Sequence, residues 1–255
     1  AFPAELIGPD GGTPYWSELM RRLERLFAAR GLAAHVLLTT GDTPEQRLAS
    51  LRLSSPIWDT ASVAILCFGA GLEETIDRFA ERGIATITTG RAYHGRHVVA
   101  TDLPALGRKA GEHFLAIGRR HVGVITQENL AVAPMTEGLR DVLRADRAKL
   151  REQWLVPRVT GYRQAAKAFF KIWSQNRRPD ALLVTDESLA AGVGDAIVRH
   201  EVRIPEQLAV ITHATAEAQP ELPLPFTTLE YSVQRIARAV YGLAERLLDG
   251  RAGEL

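Results

Sequence analysis

The chain has 255 residues, 46% of them hydrophobic and 24% charged, with a formal net charge of +1. That length builds one large domain or two lobes with real cores, and so balanced a charge points to neither nucleic acid nor an acidic membrane surface. The single cysteine, Cys67, excludes an intrachain disulfide, and no apolar run approaches the ~18 residues of a membrane span.

The hydrophobic pattern alternates strand and helix. AELI (4–7) reads as a short strand. Residues 14–31 follow with Trp16, Leu19, Met20, Leu23, Leu26 and Phe27 at helical spacing, stopped by Gly31. AAHVLLTT (33–40) reads as a strand. Thr43, Pro44 and Gln46 form a capping-box start for the next helix. SVAILCFG is a buried strand, LEETIDRFAERG a helix closed by Gly83, and IATITTG a further strand. HVVAT is short and extended, and residues 102–118 form a helix.

HVGVIT is a strand, PMTEGLRDVLRAD a helix and WLVPRVT a weakly extended stretch. YRQAAKAFFKIWSQN, ALLVTD, ESLAAGVGDAIVRH and QLAVITH continue as helix, strand, helix and strand. A last helix presents Val233, Ile236, Ala237, Val240, Leu243, Ala244, Leu247 and Leu248 on one stripe before Gly250. Continuous apolar strands alternating with amphipathic helices mean parallel sheets covered on both faces. The expected fold is α/β, with two Rossmann-like lobes: 1–117 plus 231–249, and 118–230, with 250–255 opening a final segment.

Motifs for catalysis are weak. GAGLEE (69–74) sits between a strand and a helix but lacks the third glycine of a dinucleotide turn. His94 and His97 lie in a glycine-flanked loop without a cysteine or carboxylate cluster, so no metal is expected. No nucleophile stands in a motif with a base, and neither an enzyme nor a cofactor is expected. In open parallel sheets, ligands lie outside the carboxyl ends of the strands. The positions just past each strand are therefore the candidates: Asp10, Tyr15, Phe68, Arg91, Asp102, Gln127, Thr185, Asp186 and His213. Such a polar and aromatic set suits a small polar molecule.

Four segments, in order, resemble the ligand-binding domain of LacI/GalR-type transcriptional regulators. They are DLPALGRKAGEHFLAIGRRHVGVIT, TEGLRDVLR, PDALLVTDESLAAGVGDAIVRHEVRIPEQLAVI and LPFTTLEYSVQRIARAVYGLAERLLDG. The resemblance implies the type I periplasmic-binding-protein-like architecture and a final helix that returns to the first lobe. It further implies a small-molecule effector in an inter-lobe cleft, a homodimer, a cytoplasmic bacterial setting, and operator binding through an N-terminal helix-turn-helix outside residues 1–255. The family's anchoring Arg falls at Met135, its strand-end Asn at Thr185, and its late acidic pair near His213, while Asp102 and Asp186 keep their places. A sugar needs several aimed donors and acceptors, so these departures predict an effector other than an ordinary pyranose. A secreted solute-binding protein is the alternative function, and IPEQ (204–207) favours the regulator.

Overall fold

The computed structural model describes residues 2–3, 14–40, 43–67, 72–90, 95–127, 133–215 and 224–250. The AELI strand of the sequence reading lies outside them. The chain divides into two compact units, Ala1–Thr101 with Ser232–Leu255, and Asp102–Tyr231.

The first unit begins with β1 (Phe2–Pro3), α1 (Pro14–Ala28), β2 (Leu38–Thr39) and α2 (Pro44–Ser50). It continues with β3 (Val63–Cys67), α3 (Leu72–Glu81), β4 (Ala85–Gly90) and β5 (Val98–Ala100). β3, β4 and β5 form a parallel sheet in that order, and β1 pairs in parallel with β2. The capping box forms as its spacing predicts: the Gln46 N–H donates to Thr43 Oγ1 at 3.3 Å, and the Thr43 N–H donates to Gln46 Oε1 at 3.2 Å. Leu51, Trp58, Leu66, Phe79 and Ile84 make the core beneath β3, and the Trp58 indole N–H donates to the Leu51 carbonyl. α3 ends at Gly83, whose φ of 71° is the left-handed geometry that lets the Ile84 N–H reach back to the Phe79 carbonyl at 2.9 Å.

The strand expected over 33–40 is realised only as Leu38–Thr39. Leu32–Leu37 has no assigned strand conformation. An apolar run reports that a segment is suited to burial; a ladder also requires a neighbouring strand to bond with.

The second unit contains α4 (Leu103–Ala116), β6 (His121–Ile125), α5 (Pro134–Ala145), β7 (Lys149–Val156) and α6 (Gly161–Trp173). It is completed by β8 (Ala181–Val184), α7 (Glu187–Arg199), β9 (Ala209–Thr215) and β10 (Thr227–Tyr231). Its five strands are all parallel, in the order β10-β9-β8-β6-β7. Both faces are covered. Ile125, Leu182, Val184 and Val210 pack with α6 and α7 side chains such as Phe169 and Val193. Val124, Leu183 and Ile211 pack with Leu106, Phe114 and Leu139 of α4 and α5. Neighbouring residues of one strand thus enter opposite cores, the period-two consequence of the pleat.

α4 belongs to this unit, which corrects the boundary expected at residue 117. The reason is an intimate helix pair. A Cβ on Gly107 would lie 1.9 Å from the Met135 carbonyl oxygen, and one on Gly138 would lie 2.0 Å from that of Pro104. Each glycine admits the other helix's backbone, so α4 and α5 form one packed layer.

The chain then returns to the first unit as α8 (Val233–Leu248), capped by Ser232. Val233, Ala237, Val240, Leu243 and Ala244 of the expected stripe are buried. α8 lies against α1, with the Phe27 and Tyr241 rings 5.3 Å apart and Arg30 bonded to Glu245 at 2.6 Å and Asp249 at 2.9 Å. Among the described residues no helix is long and apolar enough to cross a membrane.

Candidate functional site

Strand register assembles a row of polar side chains in the second unit. Ile125 pairs with Val184, and Val184 with Thr212. One residue further on, Thr126, Thr185 and His213 stand level with one another. They continue the face that carries Val124, Leu183 and Ile211, on the side of α4 and α5. The apolar face therefore turns polar at the carboxyl edge of the sheet, where α5, α6 and α7 begin.

The row is bonded internally. The Thr185 hydroxyl donates to Thr126 Oγ1 at 2.7 Å. His213 is 7% exposed and stacks on Tyr231, with ring centroids 4.3 Å apart and planes 9° apart. Above the row, Asp186 caps α7: its Oδ1 accepts the Ser188 N–H at 2.9 Å and the Ser188 hydroxyl at 2.6 Å. The Gln127 amide donates to Ser188 Oγ at 2.9 Å, tying the end of β6 to the start of α7.

Glu187 is the least ordinary group at this edge. It is 5% exposed, and its Oε2 accepts the Thr215 N–H at 3.1 Å. Burial pushes its carboxyl up to about 7; the neighbouring Asp186 adds to the rise, and the bond from Thr215 opposes it. Near neutral pH this acid shares its population between a neutral donor and an anion.

The sequence candidates distribute as follows. Asp10, Phe68 and Arg91 lie outside the described residues. Thr185, Asp186 and His213 come together at the edge just described. Asp102 is the exposed N-cap of α4, with Oδ1 accepting the Ala105 N–H at 2.9 Å. Met135, at the start of α5, is 2% exposed and packs with Leu106 and Leu139.

Tyr15 is buried in the first unit, edge-on to Trp16 at 4.7 Å. Burial holds its phenol above the usual range; Cys67 adds to this, and a hydrogen bond with Thr89 opposes it. Cys67 itself is buried, and its thiol is pushed up to about 12, which keeps it protonated. Thr126, Glu187, Ser188, Thr215 and Tyr231 were not singled out from the sequence. Glu187 reads there as an ordinary first-turn helix acid, and nothing local signals its burial.

Among the described residues no cluster of three His, Cys, Asp or Glu side chains is placed to hold a metal ion. The edge offers donors, acceptors, an acid and a stacked aromatic pair, a chemistry of holding a small polar molecule. The parallel sheets flanked by helices are those of the periplasmic-binding-protein-like fold class. Residues 111–254, more than half of the chain, match the family model described as a periplasmic binding protein-like domain.

The HTH-type transcriptional repressor PurR of Aliivibrio fischeri (strain MJ11) is 23% identical over 242 residues, covering 92% of this chain and 72% of the repressor. A LacI family transcriptional regulator from Lactobacillus casei, solved with bound glucose, superposes with a TM-score of 0.76 at 20% identity, over 94% of this chain and 90% of that one. The transcription regulator GntR from Chromobacterium violaceum does so with a TM-score of 0.80 at 18% identity, over 95% of this chain and 89% of that one. The chain belongs to the periplasmic binding protein-like domain family.

Proposed function

We propose that this chain is the effector-sensing domain of a bacterial LacI-type regulator, holding a small molecule at the carboxyl edge of its second unit. The observation that carries the reading is the polar row Thr126–Thr185–His213, roofed by Gln127, Asp186 and Ser188, in a chain of this family. The protein acts by binding, in the bacterial cytoplasm and as a homodimer. The effector favours one of two conformations and so biases the operator affinity of an attached DNA reader. Such a switch requires differential affinity: moving a population from 1:99 to 99:1 takes about 5.5 kcal/mol. With Met135 in the core, no arginine guanidinium stands at that position to meet an anionic group. The reading therefore favours effectors recognised by neutral hydrogen bonds and by stacking.

Thermal-shift screening against sugars, nucleosides, amino acids and small acids tests this. Ligand at 100 times its Kd stabilises by about 2.7 kcal/mol. Hits are then titrated calorimetrically against His213→Ala and Asp186→Ser, the latter keeping a side chain able to cap α7. At least tenfold weaker binding is expected in both. A ligand that binds both variants as tightly as the parent chain overturns the placement of the site, and silence across all four classes overturns the sensing role.

A further inference from the structure

α5 begins without a cap. Its N-cap is Ala133, whose φ of −84° and ψ of 100° are the extended geometry of a capping residue but whose methyl side chain accepts no hydrogen bond. N1 is Pro134, which has no N–H, so the amides a cap would satisfy are those of Met135 and Thr136. Among the described residues neither has an acceptor. Ala133 and Thr136 are 0% exposed and Met135 is 2% exposed, so bulk water does not reach this turn.

Thr136 adds a third group. Its Oγ1 is buried and has no hydrogen-bond partner among the described residues. Side chains of a helix lean toward its N-terminus, so this hydroxyl is carried over the same uncapped turn. Gly107 of α4 lies against the Met135 carbonyl and fixes the turn in place. Unpaired buried donors are costly, and here three stand together at one helix start.

The missing acceptor is chemically constrained. α5 starts at the carboxyl edge that carries the Thr126–Thr185–His213 row, and a helix N-terminus favours an acceptor oxygen. A hydroxyl would bring a hydrogen of its own, which the two amides cannot receive. A carboxylate or phosphate accepts only, but it would share the edge with Asp186 and Glu187, two buried acids of like charge. A carbonyl oxygen accepts only and is neutral.

We propose that the start of α5 anchors the effector: a carbonyl oxygen of the effector, of amide, lactam or lactone type, stands as the missing cap and accepts from the Met135 and Thr136 amides, with the Thr136 hydroxyl alongside. This rests on the effector being held at the carboxyl edge of the second unit, and it narrows the effector to carbonyl-bearing molecules. Two of the three selecting groups are backbone amides, which no residue type in the sequence announces.

Ala133→Ser tests the anchor by giving α5 a cap of its own. The free protein should then melt at a higher Tm. An effector held by these amides should bind about tenfold more weakly or worse, because the new hydroxyl occupies them. Thr136→Val keeps the shape, removes the hydroxyl and should also weaken binding, and Thr136→Ser should restore it. The probes are thermal-shift pairs, N-acetyl-D-glucosamine against D-glucose and uridine against D-ribose, added to the wider screen, and every hit is titrated calorimetrically. The carbonyl-bearing member of each pair should give the larger shift. A hit that is weakened by His213→Ala but binds Ala133→Ser and Thr136→Val as tightly as the parent chain overturns the anchor and leaves the edge as the site. A larger shift from D-glucose or D-ribose than from its partner overturns the choice of a carbonyl. Silence across all probes removes the sensing role, and the anchor with it.

Discussion

Gly138→Ala is the most direct test of the α4–α5 interface. The added Cβ would lie 2.0 Å from the Pro104 carbonyl oxygen and 2.8 Å from its carbon, whereas ordinary contact begins at 3.4 Å. Relief requires about 1.4 Å of separation, the difference of those distances. Both partners are helix backbone, so no rotamer change supplies it. An opening of that order forfeits about half of each dispersion well between facing side chains such as Leu106 and Leu139. Overpacking costs about 1–3 kcal/mol where side chains can yield and more where they cannot, which places the gross cost near 4 kcal/mol. Alanine's helix propensity returns about 1 kcal/mol, leaving a net loss of about 3 kcal/mol. Gly242→Ala in α8 is the control: its Cβ meets nothing within 4 Å, so only the propensity gain remains, about 0.5–1 kcal/mol of added stability. Urea unfolding followed by far-UV circular dichroism should show the two midpoints moving in opposite directions at similar m. A neutral or stabilised Gly138→Ala would refute the close approach.

Glu187 predicts a pH effect. Its folded-state value is about 7 against 4.5 in a free side chain, so the folded protein binds the extra proton between those values. Stability is full below pH ~4.5, falls as pH rises toward 7, and levels above it, a loss of at most about 3 kcal/mol. Glu187→Gln should flatten that slope and raise stability at pH 8, as measured by urea midpoints at pH 5 and pH 8. Asp186→Ala should lose about 1 kcal/mol with the α7 cap, and Asp186→Ser much less, in the same assay. Thr185→Val removes the 2.7 Å donor to Thr126 and should cost about 1 kcal/mol.

Much of this protein is written locally. Gly83 stops α3 and Thr43 starts α2 because caps depend on residues within one turn of each other. The central strands β8 and β9 are buried along their whole lengths, so an unbroken apolar run identifies them. The edge strands are less legible: β7 opens with KLREQ and β10 reads TTLEY, because one flank of each lacks a neighbour and their burial is partial. Asp186 was legible as a residue just past β8, whereas His213, expected just past its strand, lies inside β9, which runs on to Thr215.

Only the tertiary structure decided three things. It set α4 in the second unit, because the contact that does so joins Gly107 to Met135 and Gly138 to Pro104 across a separate helix. It buried Met135 at the start of α5 against Leu106 and Leu139, which a position in a motif does not reveal. It also turned Glu187 from a routine helix-start acid into a buried carboxyl with a shifted proton affinity. Local pattern specifies which faces want to be apolar. Which groups lose their water depends on what arrives from elsewhere in the chain, and desolvation by those arrivals is what sets the chemistry of this edge.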